Sequence, residues 1–263
     1  MSDLIKGFIE IIKNAGEVML SAHNIESDSI GSKEGSANFV TVYDVKIQEL
    51  IISEIKKLVP DALFIAEEKE NDASVLMGEH CFIIDPIDGT TNFIHDYRHS
   101  CISLAMFSRG EAVFGAVYDP YQKEFFRAEK GNGAFLNDTP MRVSSNRPMS
   151  EAVVAYGTSP YYKDALGEKT FALTKELFYR CADVRRCGSA ALDLAYTAAG
   201  RNDLFFEFLL SPWDIAAGYL LITEAGGVIT DMQGNDIDFS KPCPVIASSK
   251  ELYGEFLDIV KKY

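Results

Sequence analysis

The densest potential for chemistry lies in Cys81-Phe82-Ile83-Ile84-Asp85-Pro86-Ile87-Asp88-Gly89-Thr90-Thr91-Asn92-Phe93, where an apolar run gives way to two carboxylates, a proline, a glycine and paired threonines. Two hard oxygen donors beside a turn that offers backbone N–H groups suit a divalent cation holding a phosphate. Residues 82–84 predict a buried strand. Because Pro86 cannot donate to a ladder, Asp85 is expected at the strand's end, with both carboxylates at an edge and outside the core. Gly89 opens backbone conformations closed to other residues, and Thr90 or Thr91 is the expected N-cap of a short helix starting near Asn92. The plain alternative is an Asp-Gly hairpin turn in which Asp85 and Asp88 are merely solvated.

Other carboxylates stand at similar transitions. Leu63-Phe64-Ile65-Ala66 is a second strand-like run, ending in Glu67 and Glu68. Asn38-Phe39-Val40-Thr41-Val42-Tyr43-Asp44 leads into an amphipathic helix carrying Ile47, Leu50, Ile51, Ile55 and Leu58 and ended by Pro60, so Asp44 reads as its N-cap. Ser211-Pro212-Trp213-Asp214 is a helix start with Ser at N-cap, Pro at N1 and an acid at N3. Gly188-Ser189-Ala190 opens another helix, whose free amides could meet a polar ligand unless Gly188 serves only close packing. Leu204-Phe205-Phe206-Glu207-Phe208 reads as a buried strand in which the charge of Glu207 needs a reason.

The elements that must position these groups follow from periodicity. Leu4, Phe8, Ile11, Ile12, Ala15, Val18, Met19 and Ala22 predict an amphipathic first helix. The polar segment Asn24 to Ala37 reads as a mobile loop or loose hairpin. Ser100 to Phe107, Ala112 to Tyr118, Lys123 to Ala128 and hairpin-like strands up to Val143 predict an antiparallel sheet. After Ser144, strands alternate with helices: Ala152 to Tyr156, Thr170 to Phe178, Val184, then Ala190 to Ala199. Late strands at Val228 to Thr230 and Val245 to Ala247 and a helix from Leu252 to Val260 close the chain. The class is α/β, with an α+β half over residues 1–143 carrying most of the acidic groups and an α/β half over 144–263 completing the site.

The chain has 263 residues and a formal net charge of −14. That is enough for a full core, and the acidity argues against non-specific binding to nucleic acid or anionic membranes. It also repels phosphorylated substrates, a conflict that bound cations would resolve. Cys81, Cys101, Cys181, Cys187 and Cys243 contain no C-x-x-C pair and fit packed thiols in a cytoplasmic protein, Cys181 and Cys187 included. His23, His80, His95 and His99 show no ligand spacing. Neither a signal peptide nor a membrane-spanning run is expected.

D-P-I-D-G-T at Asp85 to Thr90 resembles the signature of the inositol monophosphatase family, within the lithium-sensitive, magnesium-dependent phosphatase superfamily. V-T-x-x-D ending at Asp44, the paired glutamates, G-S-A at 188–190, Glu207 and P-W-D ending at Asp214 continue the resemblance along nearly the whole chain. It implies a layered αβαβα sandwich of the sugar-phosphatase type and a cytoplasmic homodimer. It implies two Mg²⁺ per subunit, one on Glu67, Asp85 and the main-chain oxygen of Ile87, another on Asp85, Asp88 and Asp214. The loop carrying Lys33 is the candidate carrier of a third. Thr90 and Asp44 would orient the attacking water, while Asp88, Gly89, Thr90, Gly188, Ser189, Ala190, Glu207 and Asp214 would contact substrate.

The expected activity is phosphomonoester hydrolysis, with inositol 1-phosphate the leading substrate among small phosphorylated polyols and sugars. Fructose 1,6-bisphosphate or a 3′-phosphorylated nucleotide is the alternative, with Arg185 and Arg186 available to a second phosphate. A non-catalytic regulatory or binding protein is a third reading. Whether Thr158 and Ser159 touch substrate is left open.

Overall fold

The computed structural model describes residues 3–22, 30–32 and 39–263. Helix α1 (Asp3–Leu20) is followed by two short antiparallel strands, β1 (Ile30–Ser32) and β2 (Phe39–Thr41), and by α2 (Val42–Leu58). Most of the polar segment expected between them, with Lys33, Asn38 and His23, lies outside the described residues.

A mixed sheet then forms from β3 (Leu63–Ala66), β4 (Cys81–Asp88), β5 (Cys101–Ser108), β6 (Glu111–Asp119), β7 (Glu124–Glu129), β8 (Gly133–Leu136) and β9 (Thr139–Met141), paired in that order. The β3–β4 pair is parallel and every later pair antiparallel. The next strand, β10 (Val153–Tyr156), belongs to a second sheet with β11 (Asp183–Arg185), β12 (Leu204–Leu210), β13 (Val228–Thr230) and β14 (Cys243–Ser248), in the order β11-β10-β12-β14-β13. Helices α3 (Thr90–Ile94), α4 (Lys163–Phe178), α5 (Ala190–Ala198), α6 (Pro212–Glu224) and α7 (Lys250–Val260) complete the chain. Helix α4 begins earlier than its apolar spacing from Thr170 predicts, because its first turns are mostly exposed and carry no apolar periodicity.

The strand period of two sorts side chains into three packed cores. On one face of the first sheet, Phe82, Ile84, Ile102, Leu104 and Phe114 meet Phe8, Ile12, Ile47 and Ile51 of α1 and α2. On the opposite face, Ile83, Ala105, Val117 and Phe126 meet Leu192, Ala195, Ile215 and Leu221 of α5 and α6, which also cover Phe205, Val245 and Ala247 of the second sheet. The far face of that sheet, with Val154, Leu204, Phe206 and Ile246, packs on Leu173, Leu177, Leu252 and Phe256 of α4 and α7. The order is helix pair, sheet, helix pair, sheet, helix pair, which is the expected αβαβα sandwich. Among the described residues no helix is long and apolar enough to cross a membrane.

Phe82 is the centre of the outermost core, fully buried with its ring 5.2 Å from Phe8 and 5.8 Å from Phe64. Phe82→Ala is expected to lower stability by about 3–5 kcal/mol, read as a fall in the urea midpoint at unchanged slope.

Candidate active site

Strand β4 runs three residues beyond the expected stop and includes Pro86. Its pairing with β5 shifts register between Asp85 and Asp88, and this irregularity accommodates a residue without an N–H. The expectation that Asp85 ends the strand and that both carboxylates lie outside the core is therefore corrected: Asp85 is 2% and Asp88 8% exposed. Asp85 Oδ1 accepts from Ile87 N–H at 3.0 Å, and Ile87 O accepts from Thr90 Oγ1 at 3.1 Å.

The following cap also differs from expectation. Gly89, not a threonine, caps α3, with φ of 87°. A Cβ there would meet the carbonyls of Gly188 and His99 at 3.1 Å, so conformation and space both favour glycine.

Each remaining carboxylate is held by a local device. Glu67 follows β3, and its N–H donates to Ile84 O at 3.2 Å, extending the parallel ladder so that it stands beside Asp85. Asp88 Oδ2 accepts from Ser189 Oγ and from Ala191 N–H at 2.8 Å, with Cys101 Sγ 3.8 Å away. The amides at the start of α5, expected to meet a ligand, are thus partly engaged by Asp88 itself. Asp214 Oδ2 accepts from Ser211 N–H at 2.7 Å in a capping box, as the Ser-Pro-x-Asp spacing predicts. Asp44 is not the N-cap of α2. Thr41 is, and Asp44 stands at N3, where Oδ2 accepts from Thr41 N–H at 2.8 Å and Thr41 Oγ1 at 2.5 Å.

These segments converge on a cleft of about 270 Å³. Glu67, Asp85, Ile87, Asp88, Gly89 and Thr90 line it from the first sheet. Gly188, Ser189, Ala190, Glu207 and Asp214 line it from the other side. Of the expected site residues only Asp44 is absent from the lining, and its partner is Thr41 while Thr90 binds Ile87 O. One carboxylate oxygen from each of Asp85, Asp88 and Asp214 lies within 4.8 Å of the other two.

Burial raises the proton affinity of all three acids. For Asp85 the charges of Glu67, Asp88 and Asp214 add to burial, and for Asp214 those of Asp88 and Glu67 do. For Asp88 the hydrogen bonds from Ser189 and the α5 amides work against it. Asp44 is pushed up to about 7 by burial, opposed by its bonds to Thr41. A buried, mutually repelling set of oxygen donors attracts a hard cation, and no nitrogen or sulfur donor belongs to the cluster.

Glu207 lies in β12, buried, with Oε1 accepting from Ser159 N–H at 2.7 Å and Ser159 Oγ at 3.2 Å. Burial pushes it up to about 7. A Cβ on Gly157 would fall 1.8 Å from Glu207 Oε2, so only glycine fits beside the carboxylate. Gly157, Thr158, Ser159, Tyr161 and Arg186 also line the cleft. Thr158 and Ser159 thus join the site, together with Gly157 and Tyr161, which none of the sequence motifs includes. The available signal was G-T-S-P directly after a strand that enters the same sheet as Glu207.

A family model for the inositol monophosphatase family matches residues 1–263. The chain belongs to the inositol monophosphatase family. Members are Mg²⁺-dependent phosphatases, and the carboxylate cluster has the donor chemistry such an ion requires. The chain is 40% identical over 233 residues to an inositol-1-monophosphatase of Rhizobium meliloti, covering 89% of this chain and 87% of that one. It is 38% identical over 237 residues to the Nus factor SuhB of Pasteurella multocida, again covering 89% and 87%. The solved structure of an IMPase from Thermotoga maritima superposes with a TM-score of 0.87 at 34% identity, covering 99% of this chain and 98% of that one.

Two outcomes are expected from this geometry. Asp44 and Glu207 hold protons to about pH 7 in the fold, whereas their unfolded values are near 4, so the metal-free fold binds more protons than the unfolded chain between those limits. Stability in excess chelator should therefore fall as pH rises from about 4 to about 7 and level off above, measured as the urea midpoint. Gly157→Ala should displace Glu207 and lower kcat/KM by at least tenfold, on the order of 1.4 kcal/mol, while leaving far-UV circular dichroism unchanged.

Proposed function

We propose that this protein hydrolyses inositol 1-phosphate to inositol and phosphate in a Mg²⁺-dependent reaction. The observation that carries the reading is the convergence of Asp85, Asp88 and Asp214 within 4.8 Å at one wall of a cleft whose other wall presents the buried Glu207. Glu67, Asp85 and Ile87 O would hold one ion, and Asp85, Asp88 and Asp214 a second. Ile87 O already accepts from Thr90, which leaves a carbonyl lone pair for that role. Bound Mg²⁺ supplies Lewis acidity to phosphoryl oxygens and eases deprotonation of a coordinated water.

The chain's own groups do the positioning. Thr90 Oγ1, oriented by its bond to Ile87 O, keeps acceptor capacity for the attacking water. Asp44 Oδ1 is buried without a hydrogen-bond partner and is the acceptor available to steer a threonine hydroxyl. The helix start at Gly89 and Thr90 offers backbone N–H groups to phosphate oxygens. Asp214, with Oδ2 committed to Ser211, holds Oδ1 beside the departing alkoxide. Glu207, with Oε1 committed to Ser159, presents Oε2 to a ring hydroxyl, and Gly188, Ser189 and Ala190 shape the wall around it.

The same reading includes a cytoplasmic homodimer, divided near residue 143 into a part that supplies most ion-binding groups and a part that completes the pocket. A second reading, a regulatory role apart from catalysis, is favoured by the name of the SuhB relative. The two separate on one assay.

Phosphate release is measured with Mg²⁺ from inositol 1-phosphate, fructose 1,6-bisphosphate and adenosine 3′,5′-bisphosphate. Preference for the inositol ester is expected, with Asp88→Asn slower by more than about a hundredfold yet folded. Preference for a bisphosphate would keep the ion site and reassign the pocket to Arg186. No release from any ester would leave the regulatory reading.

A further inference from the structure

His99, Cys187 and Asp193 take no part in the chemistry above, yet one ligand atom from each lies within 4.8 Å of the other two. They come from three segments: His99 from the turn before β5, Cys187 from the stretch between β11 and α5, and Asp193 from the start of α5. Their spacing in sequence gives no hint of this, and the reading of Cys187 as a packing thiol and His99 as a non-ligand rested on that spacing alone.

The cluster is built rather than incidental. Asn92 Nδ2 donates to the carbonyls of both His99 and Cys187, at 2.8 Å each, and so pins the two backbones together. Asp193 N–H donates to Ser189 O at 3.0 Å, and Thr197 Oγ1 donates to Asp193 O at 2.8 Å. The His99 ring lies edge-on to Tyr196 at 6.0 Å. Within this fixed frame the polar atoms are unsatisfied. Asp193 Oδ1 and His99 Nε2 are both buried without a hydrogen-bond partner, and Asp193 is 1% exposed. Unpartnered buried polar atoms are costly, and two of them in one cluster point to an absent third party.

We propose that His99, Cys187 and Asp193 form a second metal site, for a divalent cation of borderline softness such as Zn²⁺, distinct from the all-oxygen cluster. One nitrogen, one sulfur and one oxygen donor match Zn²⁺ and do not match Mg²⁺, which takes oxygen. Burial lowers the proton affinity of His99, which keeps the imidazole in its neutral ligand form. Cys187 binds as thiolate, so the Sγ–H proton is released to solvent as the metal–sulfur bond forms. Burial raises the proton affinity of both Cys187 and Asp193 in the metal-free protein, opposed by Arg185 and Arg186 at Cys187 and by Arg186 at Asp193, so metal binding has to displace their protons. Three protein donors leave one tetrahedral position for water or an exogenous ligand. Cys187 precedes the Gly188–Ala190 turn, and Asp193 itself lines the cleft, so an ion here ties one wall of the pocket to the start of β5.

The test uses the full chain in saturating Mg²⁺, which fills the oxygen cluster, titrated with Co²⁺ as a spectroscopic substitute for Zn²⁺. A near-ultraviolet sulfur-to-cobalt charge-transfer band is expected, displaced by Zn²⁺ and absent in Cys187→Ser although the other four thiols remain, which assigns it to Cys187. His99→Gln keeps the thiolate and should weaken Co²⁺ binding by at least tenfold, which keeps the test decisive if the serine variant fails to fold. No band in the parent protein, a band that survives Cys187→Ser, or unchanged affinity in His99→Gln would each overturn the site.

Discussion

Mutual repulsion among buried carboxylates is the constraint that the rest of the architecture answers. Asp85, Asp88 and Asp214 are held within 4.8 Å of one another with Glu67 alongside, in surroundings that raise the proton affinity of all three aspartates. Left to itself such a set would separate or take up protons. Three packed cores, one on each side of the two sheets and one between them, supply the rigidity that keeps it assembled.

The local answer is carried by helix starts. Asp44 accepts from the first amide of the α2 capping box, Asp88 from an amide at the start of α5, and Asp214 from the N-cap amide of α6. In each case one carboxylate oxygen, Oδ2, is spent on the helix and the other is left free of that bond. Two of these helix N-termini, those of α5 and α6, thus direct partial positive charge at the acidic cluster, which offsets part of its repulsion and fixes the direction of Asp88 and Asp214. The same device that begins a helix orients an acidic side chain of the cleft at Asp88 and Asp214, so the scaffold and the site share residues.

This sharing explains what was legible in the sequence. Capping signals are local, so Ser211-Pro212-x-Asp214 reads correctly as a helix start, and the unbroken apolar run Phe82-Ile83-Ile84 correctly marks a buried strand, which the fold covers on both faces. Pro86 misleads because a register shift against β5 carries the strand past it to Asp88. Long-range partners are not written in any local pattern. Glu207 finds Ser159 through the pairing of β10 with β12, whereas Asp88 finds Ser189 and His99 meets Cys187 only after the two sheets stack. Gly157 is needed for a carboxylate on another strand, not for a turn, so its own neighbourhood gives no sign of its role.

The division of labour between the two sheets has a further consequence. Groups that would bind ions lie just after β3, at the end of β4 and at the start of α6, whereas Glu207, Ser159 and Gly157 come from β12 and the segment after β10. Asp88, at the end of β4, is bonded directly to the start of α5, which faces the pocket. Changes around Glu207 can therefore reshape that wall of the cleft while the oxygen cluster stays intact, because the two sets of side chains meet through Asp88 and the first turn of α5. A fold arranged this way can keep one phosphoryl chemistry and vary its substrate by altering a single wall of the cleft.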